Sequence, residues 1–185
     1  MTTGESDTTS STTVPGLPNP TRVITTTNLE NGVSSFDNSF DESLGPVQNL
    51  GGTLFRLAYV SDQAPQILNG SDLDVYGGHL KGVPPLVPPG GGANVWYVDI
   101  PPGGESPLHR TVSLDFIVIA EGEVQLTLDS GERKLKPGDM IIQRGTMHKW
   151  TNLSKEKWAR MIGIMAESQP ITLNNGTKLG VAGLD

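Results

Sequence analysis

Between Glu123 and Asp129 the chain alternates without a break, with Val124, Leu126 and Leu128 on one face and Gln125 and Thr127 on the other. A period of two marks a strand buried on one side only. Other short runs rich in branched and aromatic residues predict strands at Val23 to Thr27, Thr53 to Val60, Asn94 to Ile100, Asp115 to Ala120, Asp139 to Gln143, Met147 to Thr151 and Trp158 to Met165. Gly, Pro, Asn and Asp clusters separate them. The pattern predicts an all-β barrel or sandwich, with Asp129-Ser130-Gly131-Glu132 as a hairpin turn. Ala64 to Asn69 is predicted to form one helical turn. The Pro-Gly run from Gly82 to Ala93 cannot be a central strand, because proline removes ladder donors. It is expected to be a loop at the barrel mouth or an arm. Trp96, Trp150 and Trp158 fall in predicted strands, where the core is their default place.

Length and charge narrow the picture. At 185 residues the chain suits one domain with one core. Residues 1–20 are Ser, Thr, Gly and Pro with almost no large apolar side chains. They cannot offset the entropy of ordering and are read as a disordered leader before a single domain at 21–168 and a tail at 169–185. The net charge of −7 disfavours nucleic acid and anionic membranes, which need clustered Lys and Arg. The expected partner is a small molecule or another subunit. There is no cysteine, no apolar run long enough to span a bilayer and no secretory h-region, so a cytoplasmic location is expected.

The candidate chemistry lies between Gly103 and Asn152. His109, Thr111, Ser113 and Asp115 occupy alternate positions, so a strand there would carry four polar groups on one face. Such a face is costly unless it binds something or is fully hydrogen-bonded. Five residues separate Gly103 from His109, three separate Thr111 from Asp115, and six separate Asp115 from Gly122. This spacing resembles the first motif of the cupin superfamily, with Thr111 in place of the motif's second His and Asp115 in place of its Glu. Pro137-Gly138-Asp139, His148 and Asn152 resemble the second motif. His109-Arg110-Thr111 and Gln143-Arg144-Gly145-Thr146 are similar to a subgroup of small single-domain bacterial and fungal cupins. The resemblance covers residues 20–168 and implies a double-stranded jelly-roll barrel. It also implies a homodimer whose N-terminal strands exchange or pack across the interface.

If that register holds, His109, Asp115 and His148 converge inside the barrel. Two imidazoles and a carboxylate suit a facial triad for one divalent metal, Fe, Zn, Mn or Ni. The same groups also suit metal-free proton transfer, with His148 or His109 as base and Asp115 orienting an imidazole. In a third reading they only satisfy hydrogen bonds within a degenerate barrel. Trp96, Thr111, Gln143 and Trp150 are the candidate substrate contacts. Arg144 is expected to brace its turn, Arg110 to form a structural ion pair, and His79 to be a loop residue. The resemblance implies tailoring of secondary metabolites, and the leading expectation is a non-redox lyase, isomerase or cyclase acting on a polyketide-like carbonyl compound. An iron-dependent dioxygenase and a non-catalytic ligand-binding protein are the alternatives.

Overall fold

The computed structural model describes residues 16–82 and 84–184. In chain order the elements are β1 (Ile24–Thr27), β2 (Ser34–Asp37), β3 (Gln48–Leu50), β4 (Thr53–Ser61), α1 (Ser71–His79), β5 (Ala93–Ile100), β6 (Ser113–Glu121) and β7 (Val124–Leu128). They continue with β8 (Gly131–Leu135), β9 (Met140–Arg144), β10 (Lys149–Asn152), β11 (Ala159–Glu167), β12 (Ile171–Thr172) and β13 (Lys178–Leu179). A six-stranded antiparallel sheet, β3-β4-β5-β11-β6-β9, faces a three-stranded sheet, β10-β7-β8. The chain crosses from one to the other after β6, β8, β9 and β10, which makes the molecule a jelly-roll barrel.

Local sequence explains the corners. At Gly122, between β6 and β7, φ is +73°, and an added Cβ would stand 2.9 Å from Ala159 Cα. Only glycine fits so close a strand crossing. Asn152 closes the other end of the site region, its side-chain amide donating to the carbonyls of Ile100, Pro101 and Lys157. The alternation read in the sequence holds in β7, with Val124 and Leu126 buried in a cluster with Ile100, Ile117, Ile119, Trp150, Ala159 and Met161. Each aliphatic side chain fully buried there contributes roughly 1.5–3 kcal/mol.

Several expectations are corrected. The helix is not at 64–69 but at Ser71–His79, where Asp72 and Asp74 favour the first turn and Tyr76 plugs the core beside Leu57, Val60 and Trp96. Its sequence lacks an apolar stripe, so periodicity could not reveal it. His79 is the last residue of that helix rather than a loop residue. Trp158 precedes β11 instead of lying in it, and the expected turn residues Gly131 and Glu132 already belong to β8. The strands β2, β3, β8, β12 and β13, short and largely exposed, went unread. Residues 84–92 contain no strand, as the prolines require.

Both ends of the chain differ from the expected leader and tail. Residues 1–15 of the leader lie outside the described residues, but Pro18 and Asn19 are tied to the barrel. Arg160 Nη2 donates to Pro18 O at 2.9 Å, and Arg56 donates through Nε and Nη2 to Asn19 Oδ1. The segment after residue 168 folds back as the β12–β13 hairpin, and Ala182 exchanges backbone hydrogen bonds with Arg110. Among the described residues no helix is long and apolar enough to cross a membrane.

Candidate active site

Strand register gathers the polar residues at one end of the barrel interior. Asp115 on β6 is paired with Gln143 on β9 and with Met165 on β11, and Met165 is paired with Asn94 on β5. One inward row therefore reads Asn94, Met165, Asp115, Gln143. The next row, Trp96, Gly163, Ile117 and Ile141, begins the apolar floor. His109 and His148 come from the opposite wall. Their backbones exchange hydrogen bonds of 2.9 and 2.8 Å, and their ring centroids lie 4.1 Å apart. His109, Thr111, Ser113, Asp115, Gln143 and His148 are all buried.

The two histidines have the same local bond. His109 Nδ1 lies 2.9 Å from Pro107 O, and His148 Nδ1 lies 2.9 Å from Thr146 O. A carbonyl only accepts, so each neutral ring carries its proton on Nδ1 and presents an unprotonated Nε2. The tautomer in turn orients Gln143, whose Nε2 lies 3.2 Å from His148 Nε2 and 2.9 Å from Asp115 Oδ2. Only an amide NH2 can donate to both. The opposite amide orientation would set an oxygen against the His148 lone pair.

The two rings are thereby made unequal. His148 Nε2 is engaged by Gln143, and burial pushes its pKa down to about 4, with the neighbouring His109 adding to the effect against the Thr146 carbonyl. His109 Nε2 has no hydrogen bond among the described residues. Asp115 is raised above the ordinary carboxyl value, chiefly by burial, while Ser113, Gln143 and His109 pull the other way.

Three buried oxygens on the Asn94 row lack partners: Asn94 Oδ1, Asp115 Oδ1 and Gln143 Oε1. Buried acceptors are rarely left so, and a row of them marks the place for a ligand or water. Asn94 was missed in the sequence, since an Asn inside a predicted strand carries no motif. Its Nδ2 is anchored on Pro85 O at 2.6 Å, which aims the orphan oxygen. Below the row, Gly163 leaves space: an added Cβ would meet only Ile117 Cγ1, at 4.0 Å.

Of the other candidates, Thr111 Oγ1 accepts from Ser113 Oγ at 2.7 Å. Trp96 is core, its indole N–H donating to Leu86 O at 3.2 Å, and Trp150 is core with its ring edge-on to His148. Arg144 points outward and braces nothing among the described residues, because alternation puts Gln143 inside. Arg110 makes no ion pair among the described residues and donates from Nε to Gly180 O instead.

The side chains as placed do not fit a divalent metal. Gln143's two amide hydrogens are directed at His148 Nε2 and Asp115 Oδ2, and Thr111 accepts from Ser113. Of the imidazole and carboxylate atoms in the site only His109 Nε2 and Asp115 Oδ1 are left unengaged, two donor atoms rather than three. No group of three or more His, Asp or Glu side chains among the described residues is arranged to hold an ion.

A family model described as the cupin domain matches residues 96–165. The chain is 42% identical over 173 residues to phomopsin biosynthesis cluster protein C' of Diaporthe leptostromiformis, covering 92% of this chain and 90% of that protein. It is 41% identical over 157 residues to oryzines biosynthesis cluster protein J of Aspergillus oryzae, covering 84% and 87%. It is 36% identical over 162 residues to a cupin-domain-containing oxidoreductase of Neurospora crassa, covering 86% and 80%.

Proposed function

Because this chain belongs to the cupin superfamily, we propose that it is a tailoring enzyme of secondary metabolism that performs non-redox acid–base chemistry on a small carbonyl compound inside its barrel. Relatives named as biosynthesis cluster proteins, similar over nearly their whole length, support the metabolic setting. The observation that carries the chemistry is the pairing of an uncommitted imidazole nitrogen on His109 with a buried carboxyl, Asp115, whose Oδ1 has no partner.

In this reading His109 Nε2 removes the proton next to the substrate carbonyl, while Asp115 in its acid form donates a proton from Oδ1 to the carbonyl oxygen. The product of the step is a neutral enol. Return of a proton to another carbon gives isomerisation, departure of a β-hydroxyl as water gives dehydration, and attack of the enol carbon on a second carbonyl gives cyclisation. Positioned proton transfer of this kind contributes roughly 100-fold to 10,000-fold. His148 and Gln143 hold Asp115 in place, and the space at Gly163 accommodates the apolar part of the substrate. The sequence favoured His148 as the base, but its engagement by Gln143 and its lowered basicity favour His109.

Purified protein incubated with the intermediate that accumulates when its gene is deleted, in deuterated water, tests the proposal. Recovered substrate is expected to exchange the hydrogen next to its carbonyl for solvent deuterium, by reversal of the proton removal, and product is expected to form equally well without oxygen. Strictly oxygen-dependent turnover would favour the second reading, a cupin oxidoreductase, which the similarity to the Neurospora crassa protein supports. Tight binding with no product would make the chain a binding protein.

A further inference from the structure

His109 lies outside the named strands, in the segment between β5 and β6. A base needs a fixed position, since misplacement by about 1 Å can cost on the order of 100-fold in rate. One edge of its segment is held by the wall that carries His148. His109 N donates to His148 O, His148 N donates to His109 O, and Ser106 N donates to Trp150 O. In an extended chain the next residue turns its N–H and C=O to the other side. The backbone groups of Arg110 therefore face away from His148, toward an edge that no strand of the two barrel sheets occupies.

The end of the chain takes that edge. Arg110 N donates to Ala182 O at 2.9 Å, Ala182 N donates to Arg110 O at 3.1 Å, and Arg110 Nε donates to Gly180 O at 2.9 Å. At Gly183 φ is +71°, and an added Cβ would overlap Leu108 O and stand 3.1 Å from His109 Cα. The backbone of His109 is thus clasped from both sides, and only glycine fits where the second clasp closes.

We propose that Gly180–Gly183 is a positioning element of the site, with Gly183 as its positioning residue, and that it holds His109 in the tautomer and place needed for proton removal. The inference rests on the reading of His109 as the base. The bond that sets the tautomer, His109 Nδ1 to Pro107 O, spans residues 107–109, and Gly183 presses on the Leu108–His109 peptide inside that span. The matching bond of His148 spans residues 146–148, whereas the hydrogen bonds of residues 180–183 among the described residues all go to Arg110. A role in holding the core is a poor fit to the side chains. Val181 is 64% exposed and Leu184 44%, and neither apolar cluster includes a residue of this segment. What the segment supplies is three hydrogen bonds and a steric stop, all on residues 108–110.

Nitrogen-15 NMR of the imidazole rings tests this without a substrate, because the shifts of Nδ1 and Nε2 report which of them carries the proton. In the wild type His109 should show one neutral tautomer, protonated on Nδ1. In Gly183→Ala, and in a chain ending at Leu179, His109 should become a mixture in which Nε2 is protonated in a major share, while His148 keeps its wild-type pattern. Turnover of the accumulated intermediate should fall roughly 10-fold to 100-fold in both, with KM little changed, as for the loss of an interaction made in the transition state. A His109 pattern unchanged in the shortened chain overturns the proposal. So does a change shared by His148, or a shortened chain that fails to fold, since the segment would then hold the barrel as a whole. Should Gly183→Ala alone fail to fold, the shortened chain, which adds no Cβ, decides. His109→Ala separates the two readings: full turnover in that variant removes His109 as the base, while the ring spectra still decide whether the segment positions it.

Discussion

Asp99 and Asp115 are both essentially fully buried aspartates on the large sheet, yet they face opposite sides and are treated in opposite ways. Asp99, on the outward face, accepts from Arg56 Nη1 at 2.6 Å, from Arg160 Nε at 2.6 Å and from Arg160 Nη2 at 2.7 Å. Both its oxygens are satisfied by cations, and the cluster pins Pro18 and Asn19 to the barrel. Asp115, on the inward face, has one amide donor on Oδ2 and nothing on Oδ1. Burial alone therefore does not identify a functional acid. The discriminating feature is an unfilled lone pair in a place water cannot freely reach, because filling it is worth more to a ligand than to the fold.

The sharpest break in this comparison would come from Asp99→Ala. Removing it leaves two guanidinium groups buried without their counter-ion, and unfolding by denaturant should show a loss of about 3–5 kcal/mol. A loss under about 1 kcal/mol would mean that Asp99 is no more structural than Asp115.

Asp115→Asn should do the reverse. Turnover should fall roughly 100-fold to 10,000-fold, the range for losing a positioned proton donor, while the denaturation midpoint stays close to wild type. Full turnover in the folded variant removes Asp115 from the chemistry.

pH separates the groups further. The folded His148 ring takes a proton only near pH 4, against an ordinary value of 6.5. An unfolded chain protonates first, so stability from this residue is full above pH 6.5 and is lost as the pH falls to about 4, by about 3 kcal/mol. Asp115 has the opposite sign: the folded carboxyl keeps its proton above the ordinary carboxyl range, so its contribution is full at low pH and is lost as pH rises through its raised value. Denaturation between pH 4 and 7 should show a flatter acid limb in His148→Gln and a steeper one in Asp115→Asn. An acid limb unchanged in both variants would show that neither group titrates differently on folding.

The smallest effect belongs to Thr111→Val, which removes the acceptor of the Ser113 hydroxyl and should cost about 1 kcal/mol with little change in turnover. A large loss of turnover would move Thr111 into the catalytic group.

The barrel and its polar end were legible in the sequence because both rest on local rules. A period of two places His109, Thr111, Ser113 and Asp115 on one face wherever the strand lies, and a glycine is required wherever strands cross as closely as at Gly122. Strands as short and exposed as β8 and β12, and a helix without an apolar stripe, leave no such trace. The family was legible too, in the spacing of the two motifs, and similarity over 86% of the chain to a cupin-domain-containing protein of Neurospora crassa bears it out.

By itself the sequence determined the alternation, the motif spacing and the identity of the buried acids and imidazoles. Only the tertiary structure decided what each of them does. Cross-strand register put Gln143 between Asp115 and His148, brought Asn94 into the same row from a strand two places away, and set the C-terminal Ala182 against Arg110 beside His109. Those relations depend on which strands become neighbours, and neighbours in a sheet are chosen by the global packing of the barrel, not by residues near one another in the chain.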